Sequence, residues 1–196
     1  SATVCRISPK PPEYVRIHLT EFVLENLVNC GLIKKADAGV EDIPLQRRSN
    51  RPKYSGKVLL HPGAGSKRKR WPITNFLEVE AMLKGDGLKP EFILGPAEEA
   101  LVDALPRTNR TVHILTDLTE LAALLNSAGG YIGNDSGASH LAAFLGMPTG
   151  VIFGPADPKR WTPVGRHVAI VRPELECRPC FETEKTNCDG SECLHG

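Results

Sequence analysis

The run from His61 to Pro72, HPGAGSKRKRWP, places two glycines beside four consecutive cations, Lys67, Arg68, Lys69 and Arg70. Glycines let the main chain approach a ligand closely, and lysines and arginines supply the charge that a diphosphate demands. This is not a Walker A loop, because the Gly-Lys-Ser/Thr ending is missing. Such a loop is also compatible with an ordinary surface turn, so its place in the fold has to decide. A second run, Gly133 to Ala143 (GNDSGASHLAA), carries Asp135, Ser136, Gly137 and His140 among small residues that lead into a helix. The first-turn amides and positive dipole end of a helix approached this way form an anion site. The plainer alternative makes Asp135 and Ser136 helix caps and His140 a satisfied, partly buried histidine. Small polar groups converging on one place favour the ligand site. A third run, FGPADPKRW from Phe153 to Trp161, reads as a proline-stiffened rim, with Trp161 either structural or part of that rim. Neither GxSxG nor HExxH occurs, which argues against an α/β-hydrolase and a zincin.

The cysteines divide unequally. Cys5 and Cys30 stand alone, whereas Cys177, Cys180, Cys188 and Cys193 fall in the last twenty residues, with His195 nearby. Four thiolates suffice for a tetrahedral zinc site, and CxxC grips an ion from a single turn. Disulfide pairing stands beside zinc as an open alternative, although a reducing compartment disfavours it as the resting state, and four unpaired thiols in a polar end are the plainer reading.

These groups must be positioned by regular elements. From Lys57 onward, short apolar runs alternate with helical periodicity, which predicts a parallel sheet with crossover helices. Strands are expected at 57–60, 91–94, 111–115, around Tyr131-Ile132, at 149–153 and at 167–171. Helices are expected at 73–84, at 98–105, from an Asp117 or Thr119 cap to Ser127, and at 139–145. The result is an α/β, Rossmann-like, doubly wound sheet whose ligands bind at the carboxyl ends of the strands. Upstream, residues 13–29 predict a helix outside this pattern, stopped by Gly31. Arg47 to Lys53 reads as a linker.

At 196 residues, with 41% hydrophobic and 24% charged residues, the chain has the composition of a folded domain with flanking pieces. The net charge is only +1, yet nine of the 24 basic residues lie between Arg47 and Arg70 with no acidic residue among them. Nucleic-acid binding there is disfavoured, because only Tyr54 and Trp71 stand near enough to stack on bases. No apolar run approaches a membrane span and no signal-peptide core opens the sequence, so a cytoplasmic protein is expected.

Taken in order, HPGAGSKRKRWP, LGPAEE, LTDLTELAALLNSAGGYIGNDSGASHLAAFLGMPT and FGPADPKRW resemble glycosyltransferase family 9, the heptosyltransferases, over about residues 57 to 165. The resemblance implies the carboxy-terminal domain of a GT-B fold, in which two Rossmann-like domains face each other across a cleft. It implies inverting transfer from a nucleotide-sugar donor, ADP-heptose in the leading reading, to a lipopolysaccharide-core or other glycan acceptor. No metal cofactor is required for that chemistry, and peripheral contact with the inner face of a bacterial inner membrane is compatible with it. Donor diphosphate binding is carried over to Gly65, Ser66, Lys69, Asp135, Ser136, Gly137 and His140. Nucleoside binding is carried over to Glu98 or Glu99 and to Thr116, which stands where some relatives present methionine. The family's catalytic base is an aspartate of the amino-terminal domain, for which this sequence has no counterpart. Residues 1–52 are therefore expected to be a remnant of that domain with its linker, 53–172 the donor-binding domain, and 173–196 a cysteine-rich tail. The isolated chain is expected to bind donor without turnover. The competing readings are a non-catalytic nucleotide- or zinc-binding module and a GT-B nucleotide-sugar epimerase relative.

Overall fold

The computed structural model describes residues 8, 10–12, 14–34, 55–106, 110–173, 179–181 and 192–195. Cys5, the linker at Arg47 to Lys53, Cys177 and Cys188 lie outside the described residues.

After α1 (Leu19–Asn29) the chain alternates strand and helix: β1 (Lys57–His61), α2 (Ile73–Gly85), β2 (Lys89–Leu94), α3 (Glu99–Ala104), β3 (Val112–Ile114), α4 (Leu118–Ser127), β4 (Gly130–Asn134), α5 (Gly137–Phe144), β5 (Thr149–Ile152), the single-turn α6 (Pro158–Trp161), β6 (Val168–Val171) and the single-turn α7 (Glu192–His195). All the strands pair in parallel in one six-stranded sheet of order β3-β2-β1-β4-β5-β6. The chain winds outward from β1 to β3, then returns to lay β4 beside β1. The sequence order therefore reverses between β1 and β4, and a doubly wound sheet opens its ligand crevice at such a point.

Alternation along the strands divides the core between the two faces. Leu59 packs with Ile93, Leu125, Tyr131, Ala142 and Met147 on one side. Its neighbour Leu60 packs with Phe76, Phe92, Leu94 and Ile152 on the other. Leu60 is paired with Phe92 of β2 and Ile132 of β4, and truncating a fully buried leucine of this kind to alanine costs about 2–5 kcal/mol. Pro90 is tolerated in β2 because its neighbours Lys89 and Glu91 face β1, while the β3 pairing begins only at Phe92. Helix α5 stops at Gly146, whose φ of 71° is costly for a residue with a Cβ. There the Gly146 N–H donates to Ala143 O and the Met147 N–H to Ala142 O, which turns Met147 into the core before β5 begins.

Several boundaries differ from expectation, among them the start of β2, which lies at Lys89, two residues before the expected 91. Helix α1 begins at Leu19 and not near residue 13. His18 is its N-cap: Nδ1 accepts from the Thr20 N–H at 3.2 Å, which leaves the proton on Nε2 to donate to Thr162 O at 2.7 Å. Arg16 is likewise engaged away from any helix, with its guanidinium on Asp157 at 2.8–2.9 Å. The segment that periodicity assigns to the helix is thus drawn out along the α6 region. Helix α5 begins at Gly137, two residues earlier than periodicity suggests, and β4 reaches Asn134. Among the described residues, no helix is long and apolar enough to cross a membrane.

Candidate functional site

Strands β1 and β4 end side by side at His61 and Asn134, and the residues that follow build the crevice. Asn134 is fully buried at the end of β4. Its Nδ2 donates to Pro62 O at 2.8 Å and its Oδ1 accepts from the Trp71 N–H at 3.0 Å, so one side chain pins both ends of the loop after β1. Within that loop, residues Lys67–Lys69 make a single 3-10 turn, with the Ser66 hydroxyl accepting from the Arg68 N–H at its start. Lys69 ends the turn, and its Nζ donates to Asp135 Oδ2 at 2.7 Å. The pair is largely withdrawn from water, with 16% of the Lys69 side chain and 5% of that of Asp135 exposed.

A second tie lies deeper. Glu98 Oε2 accepts from the Gly95 N–H at 2.8 Å, and its Oε1 lies 3.7 Å from the Arg70 guanidinium, which also donates to Ala64 O. Glu98 therefore joins the loops after β1 and β2. Its carboxyl also explains Gly63, where a Cβ would fall 2.6 Å from Glu98 Cδ.

At the start of α5, Ser136 is the N-cap residue, but its side chain makes no capping hydrogen bond. Its hydroxyl faces His61 Nδ1 and Ser139 Oγ, each at 3.4 Å. Ser139 donates to Asn134 O and sits 3.1 Å from the Tyr131 hydroxyl, whose ionisation is pushed up by burial. Burial lowers His61 to a pKa of about 4 against the opposing attraction of Glu98, so its ring is neutral at pH 7. His140 is also lowered, chiefly by burial, with Asp135 acting in the opposite direction and the Trp161 main chain bonded to it.

The structure thus brings Lys69, Asp135, Ser136, Gly137 and His140 to one end of the sheet, at its switch point. It does not gather every expected residue there. Gly65 is exposed with open space around it, so packing does not demand a glycine, and Ser66 spends its hydroxyl on the local turn. Thr116 is exposed beyond β3, the edge strand separated from β1 by β2. Glu98 is buried and bonded to protein groups, and the side chain of Glu99 lies outside the described residues. Asp135 repels an anion; its carboxylate holds the Lys69 ammonium in place.

Residue-type reasoning missed Asn134 and Phe181. An asparagine closing an apolar strand was the available signal for the first, because a buried amide requires partners. The second was legible only as the one large apolar residue in a polar stretch. The N–H groups of Cys180 and Phe181 both donate to Pro155 O, and the Phe181 ring lies 4.3 Å from Lys69 Nζ. Cys180 Sγ accepts from Arg68 at 3.6 Å, while Cys193 is buried in the core beside Leu194. Among the described residues there is no cluster of three or more metal-ligating side chains, and two of the four tail cysteines lie outside them.

Chemically, the crevice offers one oriented ammonium, flanking cations and the amide end of an eight-residue helix, an arrangement suited to a phosphate-bearing ligand. The family model for glycosyltransferase family 9 (heptosyltransferase) matches residues 27–189. Lipopolysaccharide heptosyltransferase 1 of Salmonella typhimurium is 34% identical over 93 residues, covering 46% of this chain and 29% of that protein. Lipooligosaccharide heptosyltransferase 2 of Campylobacter jejuni is 30% identical over 136 residues, covering 64% of this chain and 43% of that protein. Among solved structures, the Escherichia coli heptosyltransferase WaaC with ADP superposes with a TM-score of 0.60 at 21% identity, over 82% of this chain and 52% of that one. The chain therefore spans less than half the length of these two curated relatives.

Proposed function

The chain belongs to glycosyltransferase family 9, the heptosyltransferases, and we propose that it forms the donor-binding half of such an enzyme, taking ADP-heptose for inverting transfer to a lipopolysaccharide-core acceptor. The observation that carries this reading is the partly buried Lys69–Asp135 pair beside the uncapped start of α5, at the β1/β4 switch point. Inverting transfer breaks the bond between the sugar and the diphosphate as the acceptor oxygen attacks from the opposite side. Negative charge grows on the leaving diphosphate. An ammonium and first-turn amides already aimed at that charge stabilise it without reorganising. Asp135 acts by holding Lys69. Ser136 and Gly137 offer the amides, and His140, kept neutral by burial, lines the same end.

Acceptor binding and deprotonation are assigned, in this reading, to a partner half beyond these 196 residues. The chain alone then binds donor and does not turn it over. The adenine preference is supported by the ADP held by the E. coli relative. The reaction belongs on the cytoplasmic side of the membrane, where nucleotide sugars are used. The tail cysteines Cys177, Cys180, Cys188 and Cys193 are proposed to hold a structural zinc. Cys180 and Leu194 return to the neighbouring residues Pro155 and Gly154, so the tail closes on itself. Metal analysis with thiol counting under denaturing conditions tests this: one zinc per chain with the four tail thiols unpaired supports it, and no metal contradicts it; Cys30, which is disulfide-bonded, is not among the thiols counted.

The functional reading is tested by calorimetric titration with ADP-, UDP- and GDP-sugars. Tightest binding of ADP-heptose is expected. A chain that takes none of them at millimolar concentration has no donor site, and the reading fails.

A further inference from the structure

We propose that Phe181, in the cysteine-rich tail, is a positioning residue of the donor site, forming the wall against which the Lys69 ammonium is held when it meets the diphosphate. The proposal rests on the function proposed above and adds the tail to the site.

Three observations converge on this residue. First, its main chain is fastened: the Cys180 and Phe181 N–H groups donate to Pro155 O at 2.9 and 3.0 Å, tying the tail to the loop after β5. Second, its side chain packs, together with Trp161, against Val151, Phe153 and Ala156 at the end of β5. Third, the ring face so fixed lies 4.3 Å from Lys69 Nζ, with the Arg68 guanidinium 5.8 Å from the same ring and Trp161 5.9 Å from the ammonium. The tail thus bridges the loops after β1 and β5, and these flank the start of α5.

The physical consequence follows from what lysine is. Its four-carbon stem is flexible and its ammonium strongly hydrated, so a free lysine is a poorly aimed phosphate ligand. Here Asp135 fixes the ammonium by one hydrogen bond, and the aromatic face attracts it from a second side while excluding water. Exclusion of water strengthens the remaining electrostatic attraction for an incoming phosphate. The opposite arrangement, in which the ring occupies the phosphate's own place, predicts the opposite sign on removal.

The test titrates ADP into the wild-type chain and into Phe181→Ala, Phe181→Leu, Lys69→Met and the Lys69→Met/Phe181→Ala double variant, with thermal midpoints confirming that each is folded. Phe181→Ala is expected to weaken ADP about fivefold, the scale of a partly dry cation–π contact. Phe181→Leu, which keeps the apolar packing without the π face, should lose about half of that effect on a logarithmic scale, and it carries the test should the alanine variant unfold. In the Lys69→Met background the Phe181 substitution should change affinity by less than about twofold, because its partner is gone. Unchanged or tighter ADP binding by Phe181→Ala overturns the proposal, and so does an equal loss in both backgrounds. In those cases wild-type binding leaves the donor site standing; failure of the wild type to bind ADP overturns both.

Discussion

Two ion pairs built on buried carboxylates flank the sheet and differ in how completely they are closed. Arg110, just before β3, donates through Nε and Nη2 to both carboxylate oxygens of Glu80 on α2, and its Nη1 donates to Pro106 O. Lys84 takes Glu80 from a further side at 2.7 Å, and Phe92 lies under the guanidinium at 5.4 Å. Burial pushes the Glu80 carboxyl up, but these two cations outweigh it and hold it below the usual carboxylate range. That cluster joins α2 to the entry of β3. Among the described residues Lys69 has a single carboxylate partner, and it stands in a run of four cations at the open end of the sheet. The same two ingredients, a buried carboxylate and a cation, make a fastening where charge is balanced and a receptive site where positive charge is in excess.

That contrast is broken most forcefully at the fastening. Arg110→Met strands Glu80 with only the half-exposed Lys84, and stability measured by denaturant unfolding should fall by about 3 kcal/mol while ADP affinity stays unchanged. A comparable loss of ADP affinity would mean the two pairs are not separate devices.

An acid titration sharpens it next. His61 binds its proton at about 4 in the folded chain and at the ordinary 6.5 when unfolded. Between those values the unfolded state takes up a proton that the folded state refuses, so stability falls as pH drops through this window. The full difference is about 3 kcal/mol and is absent above pH 6.5. Thermal midpoints of wild type and His61→Gln compared from pH 7 to 4 measure it; the variant should be the less acid-sensitive, and parallel curves would remove His61 from the account.

Lys69→Met should cost at least about tenfold in ADP affinity, the worth of one charge-assisted phosphate contact. It strands the Asp135 carboxylate, but the stability loss should stay below that of Arg110→Met, because Lys69 gives its carboxylate one hydrogen bond where Arg110 gives Glu80 a bidentate set. Reversed magnitudes would make this pair a second fastening. The smallest effect is expected at Thr116, exposed beyond the edge strand: Thr116→Ala should leave ADP affinity within about twofold, as for a surface change.

How much of this was legible follows from which residues report their surroundings locally. The sheet was readable because runs such as Val58 to Leu60 and Phe92 to Leu94 are apolar throughout, as strands covered on both faces must be. The crevice was readable because small and polar residues follow two of those runs. The start of α1 was not, since Ile17 continues the helical periodicity while Arg16 and His18 are claimed by Asp157 and Thr162, more than a hundred residues away. Nor was the role of Phe181, because its partners Pro155 and Lys69 belong to distant loops that only the folded sheet brings together. The metal-binding reading of the tail depended on Cys177 and Cys188, which lie outside the described residues.

The central claim is that a nucleoside diphosphate sits at the β1/β4 switch point, held by Lys69 and the start of α5. A structure of the chain soaked with ADP tests this most directly. The account predicts the diphosphate within hydrogen-bonding distance of Lys69 Nζ and of the Ser136 or Gly137 amide; ADP bound elsewhere, with Lys69 still joined only to Asp135, would contradict it.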